Sequence, residues 1–317
     1  MTETTIPENK LLELSAVQLV YRALPALQHI DWHIEPGQQW ACLGPNGAGK
    51  TSLARVISRQ ANHYSGEILR SDTLEARGVA YVCFEEAKAL CERDKKLDDS
   101  EYRADASDPG TRVRDIILDG RVADERFDRW VAQLAISHIL HRGLRFISTG
   151  EMRKTLLIKA LLSEPGLLIL DSPLDGLDRA SQLEMREIIE ELLSSPTSVL
   201  MLCRQIEDVP AGISHLLVLD EGRIFACGPR EDVVADQAVR HLMNPPLEAL
   251  EALPPPSPRN YELPEQGPLL ALKSVNVSYG EFEVLRNVDW IFDRGQHCSV
   301  SGPNGCGKTT LLSLVTG

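Results

Sequence analysis

The chain has 317 residues, of which 43% are hydrophobic, and 46 acidic side chains outnumber 33 basic ones for a net charge of −13. That length admits two domains, and the acidic balance argues against broad electrostatic binding to nucleic acid. No apolar run approaches the roughly 18 residues of a membrane span, the start MTETTIPENK lacks the basic and apolar regions of a secretion signal, and the seven cysteines contain no Cys-x-x-Cys pair that would suggest a disulfide framework or a zinc site.

From residue 11 to 43, short apolar runs alternate with polar turns, a pattern that predicts antiparallel strands leading into a strand from Trp40 to Leu43. The next segment, Gly44-Pro45-Asn46-Gly47-Ala48-Gly49-Lys50-Thr51, is a full P-loop, followed by Ser52. Its glycines let backbone N–H groups wrap phosphates, the lysine reaches the β- and γ-phosphates, and the hydroxyl after it ligates Mg²⁺. A helix is expected from Thr51 to Ser58, and a strand from Val79 to Cys83. Between Glu85 and Asp124 the chain becomes strongly charged, with Cys91-Glu92-Arg93-Asp94-Lys95-Lys96 and then Ser107-Asp108-Pro109-Gly110, which predicts an exposed insertion of solvated helix and turn. Helical spacing of apolar residues follows from Asp124 to Leu140. Leu167 to Leu170 and Val199 to Leu202 are continuous apolar runs of the kind buried parallel strands show. Residues 244–268, with Pro254-Pro255-Pro256, read as a linker whose polyproline stiffness limits reorientation.

The P-loop recurs as Gly302-Pro303-Asn304-Gly305-Cys306-Gly307-Lys308-Thr309, followed by Thr310. At the same offset of 258, Leu11, Leu12, Leu14, Val17, Tyr21, Leu27, Asp31, Trp32, Gly37 and Gln38 match Leu269, Leu270, Leu272, Val275, Tyr279, Leu285, Asp289, Trp290, Gly295 and Gln296. A repeat of this breadth predicts two copies of one α/β P-loop domain. The expected organisation is a whole nucleotide-binding domain over 1–243, the linker, and an N-terminal fragment of a second domain over 269–317 that stops inside the helix after its P-loop.

Leu167-Leu168-Ile169-Leu170-Asp171 is an apolar strand ending in a carboxylate, which places an acid beside the Mg²⁺ of a P-loop. Four aliphatics and an aspartate are by themselves more often a core strand meeting a turn. About 20 residues earlier, Ile147-Ser148-Thr149-Gly150-Glu151 resembles the signature of the ATP-binding-cassette (ABC) family, usually Leu-Ser-Gly-Gly-Gln, which keeps Ser148 and Gly150 and departs at Thr149 and Glu151. The resemblance covers essentially the whole chain. It implies ATP and Mg²⁺ as cofactors, the mixed sheet with antiparallel and helical subdomains of that family, adenine stacked on Tyr21 and Tyr279, a D-loop at Leu174-Asp175-Gly176-Leu177-Asp178, and metal ligation by Thr51, Asp171 and Thr309. A lone tyrosine ending a strand is normally packing, but its repeated offset to the P-loop favours stacking.

Three departures alter that picture. Ser172 stands where the family places the glutamate that polarises attacking water, Arg204 replaces the histidine that senses γ-phosphate, and Phe84, followed by Glu85 and Glu86, replaces a strand-ending glutamine. Serine cannot act as a base, and arginine has a different geometry and protonation chemistry from histidine. The expected first site therefore binds ATP and hydrolyses it poorly. The resemblance further implies that two such domains, in cis or from another copy in trans, close head to tail with each nucleotide held between one P-loop and the other domain's signature. The tandem layout, Asp-Gly-Leu-Asp, the run Ser148 to Lys154 and the insertion Glu92 to Ser100 are similar to the tandem molybdate-transport branch, also described as photorepair proteins. This predicts an ATPase component in the cytoplasm, peripheral on the inner membrane face where transporter subunits are present. The alternative is a soluble tandem binding module of translation or repair type, although the long basic arm usual in ribosome-associated cassettes is absent; a third reading is an inactive truncated product.

Overall fold

The computed structural model describes residues 6–7, 9–61, 63–97, 110–244, 267–279, 282–302, 304 and 306–316. Most of the expected linker, much of the expected insertion, Pro303 and Gly305 lie outside them. The chain divides into two compact units, 1–177 with 181–246, and 178–180 with 247–317.

The first unit opens with strands β1 (Leu12–Tyr21), β2 (Leu24–Ile34) and β3 (Trp40–Leu43), helix α1 (Lys50–Ile57), β4 (Tyr64–Arg70), α2 (Asp72–Arg77) and β5 (Val79–Cys83). Four helices follow, α3 (Phe84–Leu97), α4 (Val113–Leu118), α5 (Glu125–Gln133) and α6 (Thr149–Leu161), and then β6 (Leu167–Asp171), α7 (Arg179–Leu193) and β7 (Ser198–Leu202). The unit closes with β8 (His215–Asp220), β9 (Arg223–Pro229), α8 (Arg230–Ala235) and α9 (Gln237–Met243). A six-stranded sheet has the order β5-β6-β7-β3-β8-β9, parallel except at β9, and a three-stranded antiparallel sheet has the order β2-β1-β4.

Alternation along the central strands builds two cores. Ala41, Leu43, Leu168, Leu170, Val199 and Met201 face the helices, while Trp40, Cys42, Leu167, Ile169, Leu200 and Leu202 face α1 and the antiparallel sheet. With both faces covered, successive residues are apolar, which is why β6 and β7 read as unbroken hydrophobic runs.

Two sequence expectations are corrected. The charged stretch after β5 is not wholly solvated, because α3 places Phe84, Ala87, Leu90, Cys91 and Asp94 at helical spacing along one face. Ala87 is fully buried with Ile116, Leu144, Met152 and Leu156. Asp94, only 5% exposed, accepts from the Thr111 backbone N–H at 2.7 Å and its hydroxyl at 3.0 Å. The predicted helix from Asp124 to Leu140 ends as α5 at Gln133. Asp124 caps it through the N–H groups of Arg126 and Phe127, but Ala135 has φ +55°, and a separate 3₁₀ turn follows at Ser137–Ile139.

The β1–β2 hairpin carries three register shifts. Pairing runs Leu12 to Ile34 and Leu14 to Trp32, then Val17 to Ile30 and Leu19 to Leu27, so each strand holds one extra residue over this span, and the step to Val20 with Pro25 adds another on β2. Ala16 and His29 take positive φ there, and the Asp31 carboxylate accepts from the Ala16 N–H at 2.8 Å.

In the second unit, β10 (Leu270–Tyr279) and β11 (Phe282–Phe292) form a hairpin, and α10 (Lys308–Thr316) follows. Each registered pair is the first hairpin's counterpart displaced by 258, from Leu270 with Phe292 to Val277 with Leu285. Ser274 and Asn287 take positive φ, and Asp289 accepts from the Ser274 N–H at 2.7 Å. Among the described residues of this unit no strand corresponds to β3; the hairpin alone offers no parallel neighbour for one.

Candidate functional site

Strand β3 delivers the first P-loop at the carboxyl end of the parallel sheet, where ligands of open α/β sheets bind. Its turns need glycine. Gly44 has φ +147°, and a Cβ there would stand 2.2 Å from the Leu219 carbonyl oxygen; Gly49 has φ +105°, and a Cβ would stand 2.7 Å from that of Ala26. Backbone crowds both positions, so no side-chain adjustment would accommodate a methyl group. Gly49 also starts α1 without any side-chain cap, leaving first-turn N–H groups to serve a ligand.

A cleft of about 780 Å³ lies over this loop. Asn46, Gly47, Ala48, Gly49, Lys50, Thr51 and Ser52 line one side, and Phe84, Glu85, Thr149, Arg153, Asp171, Ser172, Asp175 and Arg204 contribute from β6, β7, α3 and α6 or the segments beside them. The Lys50 ammonium donates to the carbonyls of Gly44 at 2.6 Å and Pro45 at 2.9 Å. Burial lowers its pKa, while Cys42 and Asp171 oppose the shift. Burial pushes the Cys42 thiol beneath the loop up to about 12, so it remains protonated.

The Thr51 hydroxyl donates to Asp171 Oδ2 at 3.0 Å across 120 positions of sequence. Tyr81 of β5 donates to the same oxygen at 2.7 Å. Cys83 pairs with Asp171 in the sheet, and Tyr81, two residues earlier on the same strand face, leans along the strand to reach it. Burial and this hydrogen bond raise the tyrosine pKa and keep it a neutral donor. The Thr51 hydroxyl and Asp171 carboxylate form an all-oxygen donor set that suits Mg²⁺, an ion usually held by one or two carboxylates plus substrate phosphates and water.

Ser172 has φ +48°, its N–H donates to Leu202, and its carbonyl accepts from Arg153 Nη1 at 2.8 Å. Arg153 Nη2 donates to the Asp175 carbonyl. The Arg153 guanidinium carbon lies 4.7 Å from the centre of the Phe84 ring, and Lys88 Nζ lies 5.2 Å from it. Phe84 thus supports cations. Arg204 is half-exposed in the cleft, with Nη1 3.5 Å from Asp175 Oδ2.

Ser148, Gly150 and Glu151 do not line this cleft, although Thr149 does. Ser148 caps α6: its hydroxyl accepts from the Glu151 N–H at 3.2 Å, while the Glu151 carboxylate accepts from the Ser148 N–H at 2.7 Å. Burial alone would raise the Glu151 pKa, but the bonds from Ser148 and the nearby His138 outweigh it and lower it. Tyr21 is set apart from the P-loop cleft, lining a separate hollow with Arg55 and His63. In the second P-loop, Lys308 Nζ donates to Gly302 at 2.8 Å as Lys50 does to Gly44, and Thr309 and Thr310 lie in the first turn of α10. Tyr279 ends β10 as Tyr21 ends β1.

Sequence reasoning missed Tyr81 and Arg153. A hydroxyl-bearing aromatic in an otherwise aliphatic strand was a signal for the first; nothing local marked the second.

The sequence matches the ABC transporter family over residues 27–175 and 285–317. The chain belongs to the ABC transporter family. It is 32% identical over 289 residues to the ABC transporter ATP-binding protein ModF of Escherichia coli, covering 90% of this chain and 58% of that relative. An uncharacterised ABC transporter ATP-binding protein of Schizosaccharomyces pombe is 26% identical over 311 residues, covering 92% and 61%, and the zinc import ATP-binding protein ZnuC of Pseudomonas aeruginosa is 30% identical over 244 residues, covering 77% and 83%. The chain therefore spans about three-fifths of the length of the first two relatives. Its fold is that of solved ABC cassettes. A nucleotide-free cassette from an ABC transporter superposes with TM-score 0.59 at 19% identity, covering 74% of this chain and 98% of that one, and CbiO1 of Clostridium perfringens superposes with TM-score 0.56 at 22% identity, covering 76% and 96%.

Proposed function

We propose that this protein is the ATP-binding and ATP-hydrolysing component of an ABC system, with a first site weakened for hydrolysis. The observation that carries this reading is the convergence of Thr51 and Asp171 at 3.0 Å beside the P-loop of an ABC cassette. Lys50 and the loop N–H groups would hold the triphosphate and Thr51 and Asp171 would hold Mg²⁺, with the adenine extending beyond the cleft to stack on Tyr21 in its separate hollow. Mg²⁺ held there would neutralise charge on the phosphates. Ser172 presents no carboxylate to the attacking water, and Arg204 binds phosphate charge without the proton chemistry of histidine.

The repeated P-loop and hairpin support a second cassette beginning at 269, joined through 244–268 to a first cassette ending at 243. Each nucleotide is proposed to lie between one P-loop and the signature of the other cassette, in cis or in trans, so that Ser148, Thr149, Gly150 and Glu151 serve a partner's phosphate. In the second site Tyr279, the loop from Gly302 to Lys308, Thr309 and Thr310 take the parts of their first-site counterparts. The tandem layout shared with the molybdate-transport branch is the basis for proposing molybdate as the system's cargo, with membrane-embedded subunits and a cytoplasmic location. Among the described residues no helix is long and apolar enough to cross a membrane.

Calorimetry of the 317-residue protein with MgATP tests the assignment. Wild type binds, and Lys50→Ala loses at least the roughly 1.5–3 kcal/mol of a charge-assisted phosphate contact. Equal affinities in the two proteins would refute it.

A further inference from the structure

We propose that Tyr81 is a positioning residue for the cation of the first site, acting by holding the Asp171 carboxylate in the orientation that receives Mg²⁺; the inference rests on the MgATP reading above. Tyr81 and Thr51 both donate to Asp171 Oδ2, at 2.7 and 3.0 Å. Two donors arriving from a strand and a helix fix the rotation of a carboxylate that a single contact would leave free to turn. They are unequal in their relation to the metal. Thr51 is itself a ligand in that reading, so its hydroxyl must share its oxygen with the ion, whereas Tyr81 donates to Asp171 without touching the ion and keeps its grip whether or not the ion is present. The backbone supports that commitment: β5 and β6 are paired in register from Val79 with Leu167 to Cys83 with Asp171, so the tyrosine oxygen is carried by the same sheet that carries the carboxylate. Outer partners of this kind, which touch a ligand and not the metal, set the geometry and strength of metal binding.

Tyr81 also packs beside the apolar residues between the two sheets, so a purely structural role predicts something different. Loss of packing would weaken every mode of nucleotide binding together. Loss of carboxylate positioning would weaken only the part that depends on the cation, because Lys50 and the loop N–H groups bind phosphate without it.

The test compares wild type and Tyr81→Phe by titrating a fluorescent ATP analogue into the full chain, first in excess chelator and then across a series of free Mg²⁺ concentrations. Circular dichroism confirms that the variant is folded; phenylalanine retains the ring and removes one oxygen. The expected result is an unchanged affinity in chelator and a Mg²⁺ midpoint raised by roughly 10–100-fold, the usual effect of losing an outer-sphere partner. Tyr81→Leu, which also removes packing, should raise the midpoint similarly while lowering affinity in chelator. A Tyr81→Phe midpoint within about twofold of wild type, well under that range, or a parallel fall in chelator overturns the proposal and leaves the ATP reading intact. Failure of wild type to bind the analogue under either condition overturns both.

Discussion

Replacing Arg153 by methionine isolates the polar work of one side chain that joins α6 to the segment after Asp171. The residue is 8% exposed, so methionine retains most of its packing while deleting two hydrogen bonds and a cation–ring contact. A hydrogen bond from a charged donor is worth about 1.5–3 kcal/mol, and the guanidinium over Phe84 adds about 0.5–2 kcal/mol. The sum overstates the loss. The Ser172 carbonyl still receives the Asp175 N–H at 3.2 Å, and the variant no longer has to bury a charge. A net cost of about 2–4 kcal/mol follows, concentrated where α6 meets residues 172–177. Hydrogen exchange with peptide-level mass spectrometry should show those amides exchanging about 30–1000-fold faster, since each 1.4 kcal/mol is a factor of ten. Arg153→Lys should fall between, because one ammonium cannot bridge two carbonyls as a planar fork does. Unchanged exchange over 172–177 in the methionine variant would refute the bridge.

Gly49→Ala should remove MgATP binding in calorimetry and lower stability by at least the roughly 1–3 kcal/mol of a strained backbone site, because the new Cβ would meet the Ala26 carbonyl at 2.7 Å; retained affinity would show that the loop can relax. Asp94→Asn should destabilise the protein at neutral pH by about 1–3 kcal/mol, the cost of weakening a buried charge-assisted contact. Burial raises the Asp94 pKa, but the Thr111 N–H, its hydroxyl and Arg93 together lower it below 3.8, so its stabilisation is complete above that value and is lost as pH falls through the folded value. Urea midpoints for the two proteins measured against pH should converge in acid, and a gap that persists there would contradict the assignment.

The P-loops and the Asp171 strand were legible because their chemistry is local: glycines at fixed spacing, and a strand whose aliphatic run records burial on both faces. Helix α3 was misread because charge density masked its apolar spacing, Phe84 to Ala87 to Leu90, and because Asp94 is buried by a partner 17 residues away. The hold of Tyr81 on Asp171 spans 90 residues and depends on β5 and β6 becoming neighbours, which no window of sequence displays. Arg153 was hidden for a related reason. Its acceptors are backbone carbonyls, which carry no residue identity to be read.

The paired bulges of the first hairpin have a genetic consequence. Buried positions run 12, 14, 17, 19 on one strand and 27, 30, 32, 34 on the other, so each strand changes parity once, and the two changes cancel. Losing the codon for Ala16 alone would leave Leu12, Leu14, Val17 and Leu19 at an unbroken spacing of two, so all four would still face inward. Losing that for His29 as well would give the second strand the same unbroken spacing and leave a plain ladder from Leu12 with Ile34 to Leu19 with Leu27. Loss of a single residue is thus tolerated at either bulge without a compensating change in the other strand, and the same spacing recurs around Ser274 and Asn287.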